Sequence, residues 1–177
     1  MAETVQLRPP LDEEVVRSLH AGDAVLISGP LLTGRDAAHK RLWDLLQAGG
    51  ELPVDLEGEL IYFVGPTPAR PGKVIGSAGP TTSSRMDAYS PALLAAGLRG
   101  MIGKGYRGPS VREALVKYGA VHLAAPGGLG ALLGSKIRGS EILAYEDLGP
   151  EAIRRLMVED FPVVVAYDAH GGSIYNR

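Results

Sequence analysis

The regular alternation of short apolar runs with segments of helical spacing is the strongest constraint on how this chain can fold. The apolar runs have the length and composition of strands, and several intervening segments begin with capping residues or proline and end near glycine. This alternation predicts an α/β fold, in which helices cover a sheet. Strands are expected at residues 5–7, 24–27, 59–64, 99–102, 120–125, 141–145 and 162–167, and helices at 11–19, 34–48, 90–97, from 110 onward, 129–137 and 150–158.

Length and composition narrow the class of protein. With 177 residues, the chain is predicted to form a single domain, residues 1–177, around one sizeable core. The net charge of −2 argues against a nucleic-acid-binding protein, and no apolar run reaches transmembrane length. The N-terminal segment lacks the apolar region of a signal peptide, so a cytoplasmic location is expected. The scarcity of Asn and Gln, together with the lack of Cys, is typical of proteins from thermophiles.

Many of the polar residues that could bind a ligand lie in residues 73–104. Four consecutive hydroxyl residues, Thr81 to Ser84, follow a glycine-rich turn and precede a segment of helical pattern. Backbone N–H groups at a helix start are unpaired and attract anions, and Arg85 beside them adds a planar fork suited to a carboxylate or a phosphate. The same hydroxyl residues are also common helix N-caps, with Arg85 as an ordinary solvated side chain. This stretch therefore predicts an anion site, with capping as the open alternative.

Lys104 gives a second cationic position. It lies between two glycines, directly after the strand expected at residues 99–102. Glycines at a strand end are typical of a backbone that closely approaches a ligand. Residues 103–108 also spell G-x-G-x-x-G, but the next helix begins after the motif, and the strand at 120–125 ends without the acidic residue that would hold a ribose. Dinucleotide binding is therefore disfavoured, although a nucleotide-dependent enzyme stays a competing class.

Arg35 stands in a loop that imitates a phosphate-binding motif. Two glycines have P-loop spacing, but Arg35 replaces the lysine and Asp36 replaces the hydroxyl that would hold magnesium. Thr33 is instead expected to cap the helix at 34–48, which places Arg35 in its first turn. A cation is unfavourable at that end of the helix dipole unless an anionic ligand compensates it. His39, one turn further on, is either a surface or partly buried histidine without a role in the site, or a residue that supports the site.

Three ordered segments carry a resemblance to a known family. They are GPLLTGRDAAHKR at residues 29–41, GPTTSSRMD at 79–87 and GKG at 103–105. Together they resemble the C-terminal domain, or separate β subunit, of the class I iron–sulfur fumarases and the L-tartrate dehydratases. The resemblance covers most of the chain. It implies a swivelling β/β/α domain, with sheets layered against helices, similar to the mobile domain of aconitase.

The resemblance also implies a reaction. The chain would be the β subunit of a two-chain hydro-lyase, inactive alone, that hydrates fumarate reversibly to L-malate in the tricarboxylic acid cycle. An L-tartrate dehydratase is the alternative, because both substrates are small dicarboxylates. A non-enzymatic domain that binds a carboxylate or a phosphate by itself is the alternative from another class.

The resemblance assigns roles residue by residue. It gives Arg35, Arg85 and Lys104 to the substrate carboxylates and Thr81 to proton transfer. Arg85 would also stabilise the charged form of Thr81, because an unassisted threonine hydroxyl is a poor base. Asp87 would either orient Arg85 or cap the helix. The residues expected to support the site are Thr82, His39 and Asp87.

The resemblance further implies a cofactor and a partner. The family uses a 4Fe–4S cluster whose open iron acts as a Lewis acid toward the substrate hydroxyl. This chain has no cysteine and cannot supply the thiolate ligands of such a cluster. The implied partner is therefore a cluster-bearing α subunit. The chain itself is expected to bind no metal, and the active site is expected to lie at the interface of a hetero-oligomer.

Overall fold

The computed structural model describes residues 3–175, and the strands of this part form one sheet. No helix within those residues is both long enough and apolar enough to cross a membrane. The strands are β1 (Val5–Leu7), β2 (Ala24–Thr33), β3 (Leu60–Tyr62), β4 (Gly100–Gly103), β5 (Val121–Ala124), β6 (Ile137–Ala144) and β7 (Ile153–Tyr167). The helices are α1 (Glu13–Arg17), α2 (Asp36–Gln47), α3 (Ser90–Ala95), α4 (Pro109–Tyr118) and α5 (Gly130–Ser135), with 3₁₀ helices at Ser83–Met86 and Glu146–Glu151.

Part of the sheet closes into a small barrel. The strand order is β1-β2-β3-β4-β5-β7-β6, and an additional pairing of β2 with β7 closes the sheet around β2, β3, β4, β5 and β7. Strands β2 to β5 run parallel to one another, whereas β7 runs antiparallel to β2, β5 and β6. The predicted α/β fold is confirmed. Its parallel part brings the carboxyl ends of four strands to one rim of the barrel.

Two apolar clusters stabilise the barrel. One fills the interior with strand side chains such as Ile27, Tyr62 and Leu123. The other lies outside, where Phe63, directly after β3, belongs to the same cluster as helix residues such as Leu42. Tyr62 and Phe63 belong to different clusters because successive residues of an extended chain point to opposite sides. Both faces of the parallel strands are therefore buried, which explains why their sequences are continuous apolar runs.

The helix predicted at residues 150–158 is wrong. Pro150 lies in a 3₁₀ helix, and Ile153 begins β7, which continues for 15 residues to Tyr167. Buried and exposed positions alternate through much of this strand, as expected for a strand with two different faces. Its long pairing with β2 joins segments that are far apart in sequence. Tertiary pairing therefore overrides the local helix signal of a proline followed by mixed apolar and charged residues.

Thr33 ends β2 and does not cap α2, contrary to the prediction. Its hydroxyl donates to the Ala152 carbonyl at 3.2 Å and accepts from the Arg154 N–H at 3.0 Å. The helix begins at Asp36, with Arg35 at the N-cap position. Thr33 thus attaches the end of β2 to the start of β7.

Candidate functional site

The carboxyl ends of three neighbouring parallel strands bring the predicted binding residues to one rim of the barrel. Arg35 follows the end of β2, and Lys104 follows β4 directly. β3 lies between them in the sheet, and Gly65 follows its end. This edge is the usual location of binding sites in α/β proteins with parallel strands. We call the group formed by Arg35, Gly65, Thr81, Arg85 and Lys104 the cationic rim.

Hydrogen bonds hold Thr81 across the ends of β3 and β4. The Thr81 N–H donates to the Phe63 carbonyl at 2.7 Å, and the Lys104 N–H donates to the Thr81 carbonyl at 3.3 Å. The Ser83 N–H donates to the Lys104 carbonyl at 2.8 Å, and Thr82 forms an isolated parallel bridge with Lys104. These bonds fix the register of Thr81 beside Lys104.

Two of the amides in the anion site predicted over Thr81 to Ser84 are already bonded within the chain, those of Thr81 and Ser83. Both N–H groups are bonded to carbonyls of the chain, so neither is available to a ligand. The helix that follows is a single 3₁₀ turn, and Thr82 at its N-cap makes no side-chain capping bond within the described residues. An anion at this rim would therefore meet the cationic side chains without help from these two amides.

Arg85 is exposed and pairs with a similarly exposed carboxylate. Its Nε and Nη2 each lie 3.0 Å from Asp36 Oδ2, and the two side chains are 48% and 40% exposed. Asp36 occupies the first turn of α2, where the helix dipole favours an acid, and it adjoins Arg35 in sequence. The pair therefore brings Arg85 toward the Arg35 end of the rim. Because exposed ion pairs contribute little free energy, a ligand carboxylate can replace Asp36.

Arg35 lies against Gly65 at the end of β3. A Cβ atom added to Gly65 would fall 2.5 Å from Arg35 Nη1, so a side chain there would displace the guanidinium. Arg35 Nε is buried and has no hydrogen-bond partner among residues 3–175. A buried N–H without an acceptor is costly, and an anionic ligand would satisfy it.

His39 supports Arg35 from the protein interior. It is 1% exposed, and its Nδ1 lies 2.8 Å from the backbone carbonyl of Arg35. Burial lowers the pKa of His39 to about 4, so the ring is neutral at neutral pH and the Nδ1–H donates to that carbonyl. The ring meets Phe63 edge to face, with centroids 5.2 Å apart. His39 thus fixes the backbone that carries Arg35 and is not a cationic acid near neutral pH.

The carboxylate of Asp87 faces the loop after β4. Its Oδ1 accepts from Arg107 Nε at 2.7 Å, and its Oδ2 accepts from the Gly108 N–H at 2.7 Å. Neither of these bonds involves Arg85, whose orientation was one of the two roles predicted for Asp87. Sequence reasoning missed Arg107, because a lone arginine in a glycine-rich loop resembles a surface residue and its partner is 20 residues away. Its side chain is nevertheless fully buried.

Lys104 is exposed and separated from Arg35 by the width of one strand. A Cβ atom added to Gly127, in the loop after β5, would lie 3.9 Å from Lys104 Cδ, so the aliphatic stem passes close to that loop. Because β3 lies between β2 and β4, the strands that carry the two cations are roughly 10 Å apart. Long side chains can bridge that distance from both sides onto one small anion.

The described residues do not provide a metal site. No group of three or more His, Cys, Asp or Glu side chains within residues 3–175 is placed to hold a metal ion. His122 is buried, and its Nδ1 accepts from Arg107 Nη1 at 3.3 Å. Burial, and secondarily the charge of Arg107, keeps the pKa of His122 well below its ordinary value. His122 therefore belongs to the buried structure next to the rim.

The fold and the rim together define an α/β barrel domain that offers an anionic ligand three cations beside a threonine. The chain belongs to the Fumarase C-terminus family, whose sequence profile matches residues 1–177. The family resemblance drawn from the three ordered motifs is thereby confirmed.

Individual relatives differ in how much of their length this chain covers. It is 39% identical to the anaerobic class I fumarate hydratase of Escherichia coli over 153 residues, and these residues are 85% of the chain and 28% of that protein. It is 38% identical over 176 residues, 97% of the chain and 33% of the relative, to a Geobacillus stearothermophilus protein provisionally named class I fumarate hydratase. A Methanocaldococcus jannaschii protein provisionally named L(+)-tartrate dehydratase subunit beta is 37% identical over 173 residues, 94% of the chain and 89% of the relative. The chain thus spans about one third of the fumarate hydratases and nearly all of the separate subunit.

Proposed function

We propose that this chain is the β subunit of a two-chain hydro-lyase that hydrates fumarate reversibly to L-malate. The observation that carries the proposal is the convergence of Arg35, Arg85 and Lys104 with Thr81 on one rim. A dicarboxylate needs a cation near each end, and addition of water across its double bond needs a group that transfers a proton. An L-tartrate dehydratase is the second candidate, favoured by the match to nearly the whole of a subunit with that name.

Arg35 and Lys104 are suited to opposite carboxylates of the substrate, because they follow strands on either side of β3. Arg35 offers a planar fork of donors, including a buried Nε without a protein acceptor among residues 3–175. Lys104 offers a flexible point charge. Arg85 can exchange its exposed Asp36 partner for a substrate oxygen.

Thr81 is the proposed proton-transferring residue. It would remove the C3 proton of L-malate and return it to fumarate in the reverse direction. A threonine hydroxyl is a weak base near neutral pH, so nearby positive charge is needed to favour its deprotonated form. Lys104 is tied to Thr81 by a 3.3 Å backbone hydrogen bond, and Arg85 follows one turn of chain later. Both cations therefore lie on segments that adjoin Thr81.

The iron–sulfur cluster implied by the class I family would belong to the partner subunit. Such clusters are held by cysteine thiolates, and this chain has no cysteine. When bound in the partner, the cluster would supply a Lewis acid for the substrate hydroxyl. The residues of this chain do not fit as its ligands, and their proposed work is confined to binding the carboxylates and moving the proton.

The openness of the rim supports an active site completed by a second polypeptide. Arg85 is 48% exposed, and Lys104 is exposed as well. Electrostatic contacts with a small substrate become strong only when water is excluded around them. A cluster-bearing α subunit placed over the rim would exclude that water. We therefore expect the isolated chain to be inactive.

Co-expression with a cluster-bearing α subunit under anaerobic conditions tests the proposal. We expect the assembled enzyme to interconvert fumarate and L-malate, and Arg85→Ala or Lys104→Ala to lose at least about 100-fold in kcat/KM, as expected for lost substrate-orienting charges. Arg138→Ala is the matched control, since Arg138 lies on β6 and pairs with the exposed Glu159. Turnover by the isolated chain, or near-normal activity of either rim variant, would contradict the proposal.

Two further measurements separate the alternatives. A higher kcat/KM for L-tartrate than for fumarate or L-malate would assign the chain to a tartrate dehydratase. Calorimetry of the isolated chain with the same three dicarboxylates addresses a stand-alone binding domain. We expect weak binding without the partner, because half of the pocket is missing. Tight binding by the chain alone would favour the non-enzymatic class.

A further inference from the structure

We propose that Arg107 is a positioning residue that fastens the loop carrying Lys104 to the segment carrying Thr81 and Arg85. Its consequence for substrate binding rests on the proposed function, whereas its consequence for the geometry of the chain does not. Arg107 itself is buried and does not contact the open surface of the rim.

The contacts of Arg107 join several elements at once. Its Nε donates to Asp87 Oδ1 at 2.7 Å, and its Nη2 donates to Ser90 Oγ at 2.6 Å. Its Nη1 lies 3.3 Å from both His122 Nδ1 and Met101 Sδ. One guanidinium thus links the loop after β4 to the end of the Ser83–Met86 turn, to α3, to β4 itself and to β5.

The chemistry of this position requires arginine. Removing a guanidinium from water is costly, and apolar residues of similar volume usually fill a core at least as well as a buried ion pair. Arginine alone offers several donors in a fixed planar fork, so it can bind a carboxylate, a hydroxyl and a ring nitrogen together. Lysine has one nitrogen and cannot reproduce this set. The burial of Arg107 therefore points to a need for fixed geometry.

The backbone next to Arg107 completes the fastening. The Gly108 N–H donates to Asp87 Oδ2 at 2.7 Å, and the Arg107 N–H donates to Tyr167 Oη at 3.1 Å. Asp87 therefore receives both a side chain and an amide of the same loop. Within that loop Gly105 has a φ of 84°, a conformation that glycine adopts at little cost. The loop after Gly105 therefore relies on the contacts of Arg107 for one conformation, and it continues directly from Lys104, whose backbone is bonded to Thr81 and Ser83.

The arrangement connects the two exposed cations of the rim. Asp87 stands two residues after Arg85, and Arg107 stands three residues after Lys104. The buried Arg107–Asp87 pair therefore joins the two segments that carry Arg85 and Lys104. A shift of even about 1 Å in such groups can change a rate by two orders of magnitude. Loss of Arg107 should thus alter substrate binding even though Arg107 does not touch the substrate.

Hydrogen exchange on the 177-residue chain tests the fastening without any catalytic assay. In Arg107→Met and Arg107→Lys, we expect the amides of Ser83, Lys104 and Gly108 to exchange at least about 10-fold faster, since their bonds open more often. Amides in the middle of β2 should keep their rates. Arg41→Met is the matched control, because it removes a surface arginine that binds Asp147 at 2.6 and 2.9 Å. Unchanged exchange at the three amides in both Arg107 variants would overturn the proposal.

Kinetics of the assembled enzyme test the effect on the site. We expect Arg107→Met to raise KM for fumarate at least about 10-fold at equal content of folded enzyme, because Lys104 and Arg85 lose their relative position. A purely structural role would lower the amount of active enzyme and leave KM unchanged. If Arg107→Met does not fold, Arg107→Lys decides by the same two readouts. An unchanged KM in a folded variant would show that Arg107 does not affect substrate binding.

The two assays also separate this inference from the proposed function. If the wild-type assembly neither hydrates fumarate nor removes water from L-malate or L-tartrate, the proposed function fails. Exchange at Ser83, Lys104 and Gly108 still decides whether Arg107 fastens the loop. If the wild-type enzyme is active but Arg107→Met keeps both exchange and KM, the fastening fails and the proposed function stands.

Discussion

Two arginine–aspartate pairs next to the same rim have similar distances and very different surroundings. Arg85 and Asp36 meet at 3.0 Å with side chains that are 48% and 40% exposed. Arg107 and Asp87 meet at 2.7 Å with side chains that are 0% and 23% exposed. Water competes for the first pair, so it is weak and exchangeable. The second pair is shielded from water, so removing one partner leaves the other charge buried without a counter-ion.

Under the proposed function, the difference separates the residue proposed to bind the substrate, Arg85, from the residue proposed to hold it in position, Arg107. A cation that must accept a substrate carboxylate needs a partner that it can leave, and Arg85 has one in Asp36. A cation that fixes a loop needs partners that it keeps, and Arg107 has Asp87 together with Ser90 and His122. Distance alone does not distinguish the two pairs. Burial does.

The largest effect on stability is expected from Asp87→Ala. This change leaves the buried guanidinium of Arg107 without its counter-ion, which should lower the free energy of unfolding by about 3–5 kcal/mol. Urea denaturation measures it. Arg107→Met should cost less, because water can reach the remaining Asp87 carboxylate, and the double variant should recover part of the loss. If the loss in the double variant equals the sum of the two single losses, the charges of Arg107 and Asp87 are not coupled. The contrast between the buried and the exposed pair would then be wrong.

Arg85→Ala is expected to show the opposite balance. We expect kcat/KM of the assembled enzyme to fall about 100- to 1000-fold, equivalent to about 3–4 kcal/mol of transition-state stabilisation. The free energy of unfolding should change by about 1 kcal/mol or less, because the Arg85–Asp36 pair is exposed. Steady-state kinetics and urea denaturation of one preparation give both values. A large loss of stability would show that Arg85, like Arg107, is mainly structural.

The burial of His39 also predicts that the free energy of unfolding depends on pH. Burial lowers the pKa of His39 from 6.5 to about 4, so between these values the unfolded chain binds a proton that the folded chain does not. The contribution of neutral His39 to the free energy of unfolding is fully present above pH 6.5. It decreases as the pH falls, by about 3 kcal/mol at pH 4. Urea denaturation at pH 7 and pH 4 should show a smaller difference for His39→Gln than for the wild type.

His20→Gln is the control for this measurement, since His20 is exposed and stacks on His170 at 5.1 Å. It shows what the loss of an exposed imidazole does to the same measurement. Some dependence should also persist in His39→Gln, because burial lowers the pKa of His122 in the same direction. If His39→Gln and the wild type lose the same free energy between pH 7 and pH 4, the neutral buried state of His39 is wrong.

The smallest effect is expected from Asp36→Asn. This change removes the charge from the exposed partner of Arg85 and from the first turn of α2, which should cost about 1 kcal/mol or less. KM for the dicarboxylate should change by less than about threefold, because the substrate replaces Asp36 in the bound state. Thermal unfolding and initial rates measure the two quantities. A loss as large as that of Asp87→Ala would mean that the exposed pair also holds the rim together.

Local patterns were sufficient for the parallel half of the molecule. The apolar runs that became β2, β3, β4 and β5 are buried on both faces, and each carries its own signal in sequence. Because carboxyl ends of neighbouring parallel strands share an edge, residues that follow them had to come together. Arg35 and Lys104 could therefore be placed at one rim from sequence position and motif resemblance.

Long-range pairing explains what could not be predicted. The first half of β7 has charged residues among its apolar ones and a proline shortly before it, so its local pattern favours a helix, and only its pairing with neighbouring strands makes it a strand. The second half, residues 162–167, was correctly predicted as a strand. The Arg107–Asp87 pair joins two loops through a fold that has to exist first. The amides of Thr81 and Ser83 likewise seemed free in sequence, because the carbonyls that bind them lie on other segments.

The pairing of β2 has one further consequence for assembly. This strand is hydrogen-bonded to β1 and β3 on one side and to β7 along most of its length on the other, and it leads directly to Arg35. The backbone of Arg35 is therefore positioned by the barrel of this chain alone. In the proposed two-chain enzyme, a partner would have to adjust to that residue, so the end of β2 would set the position of the rest of the shared pocket.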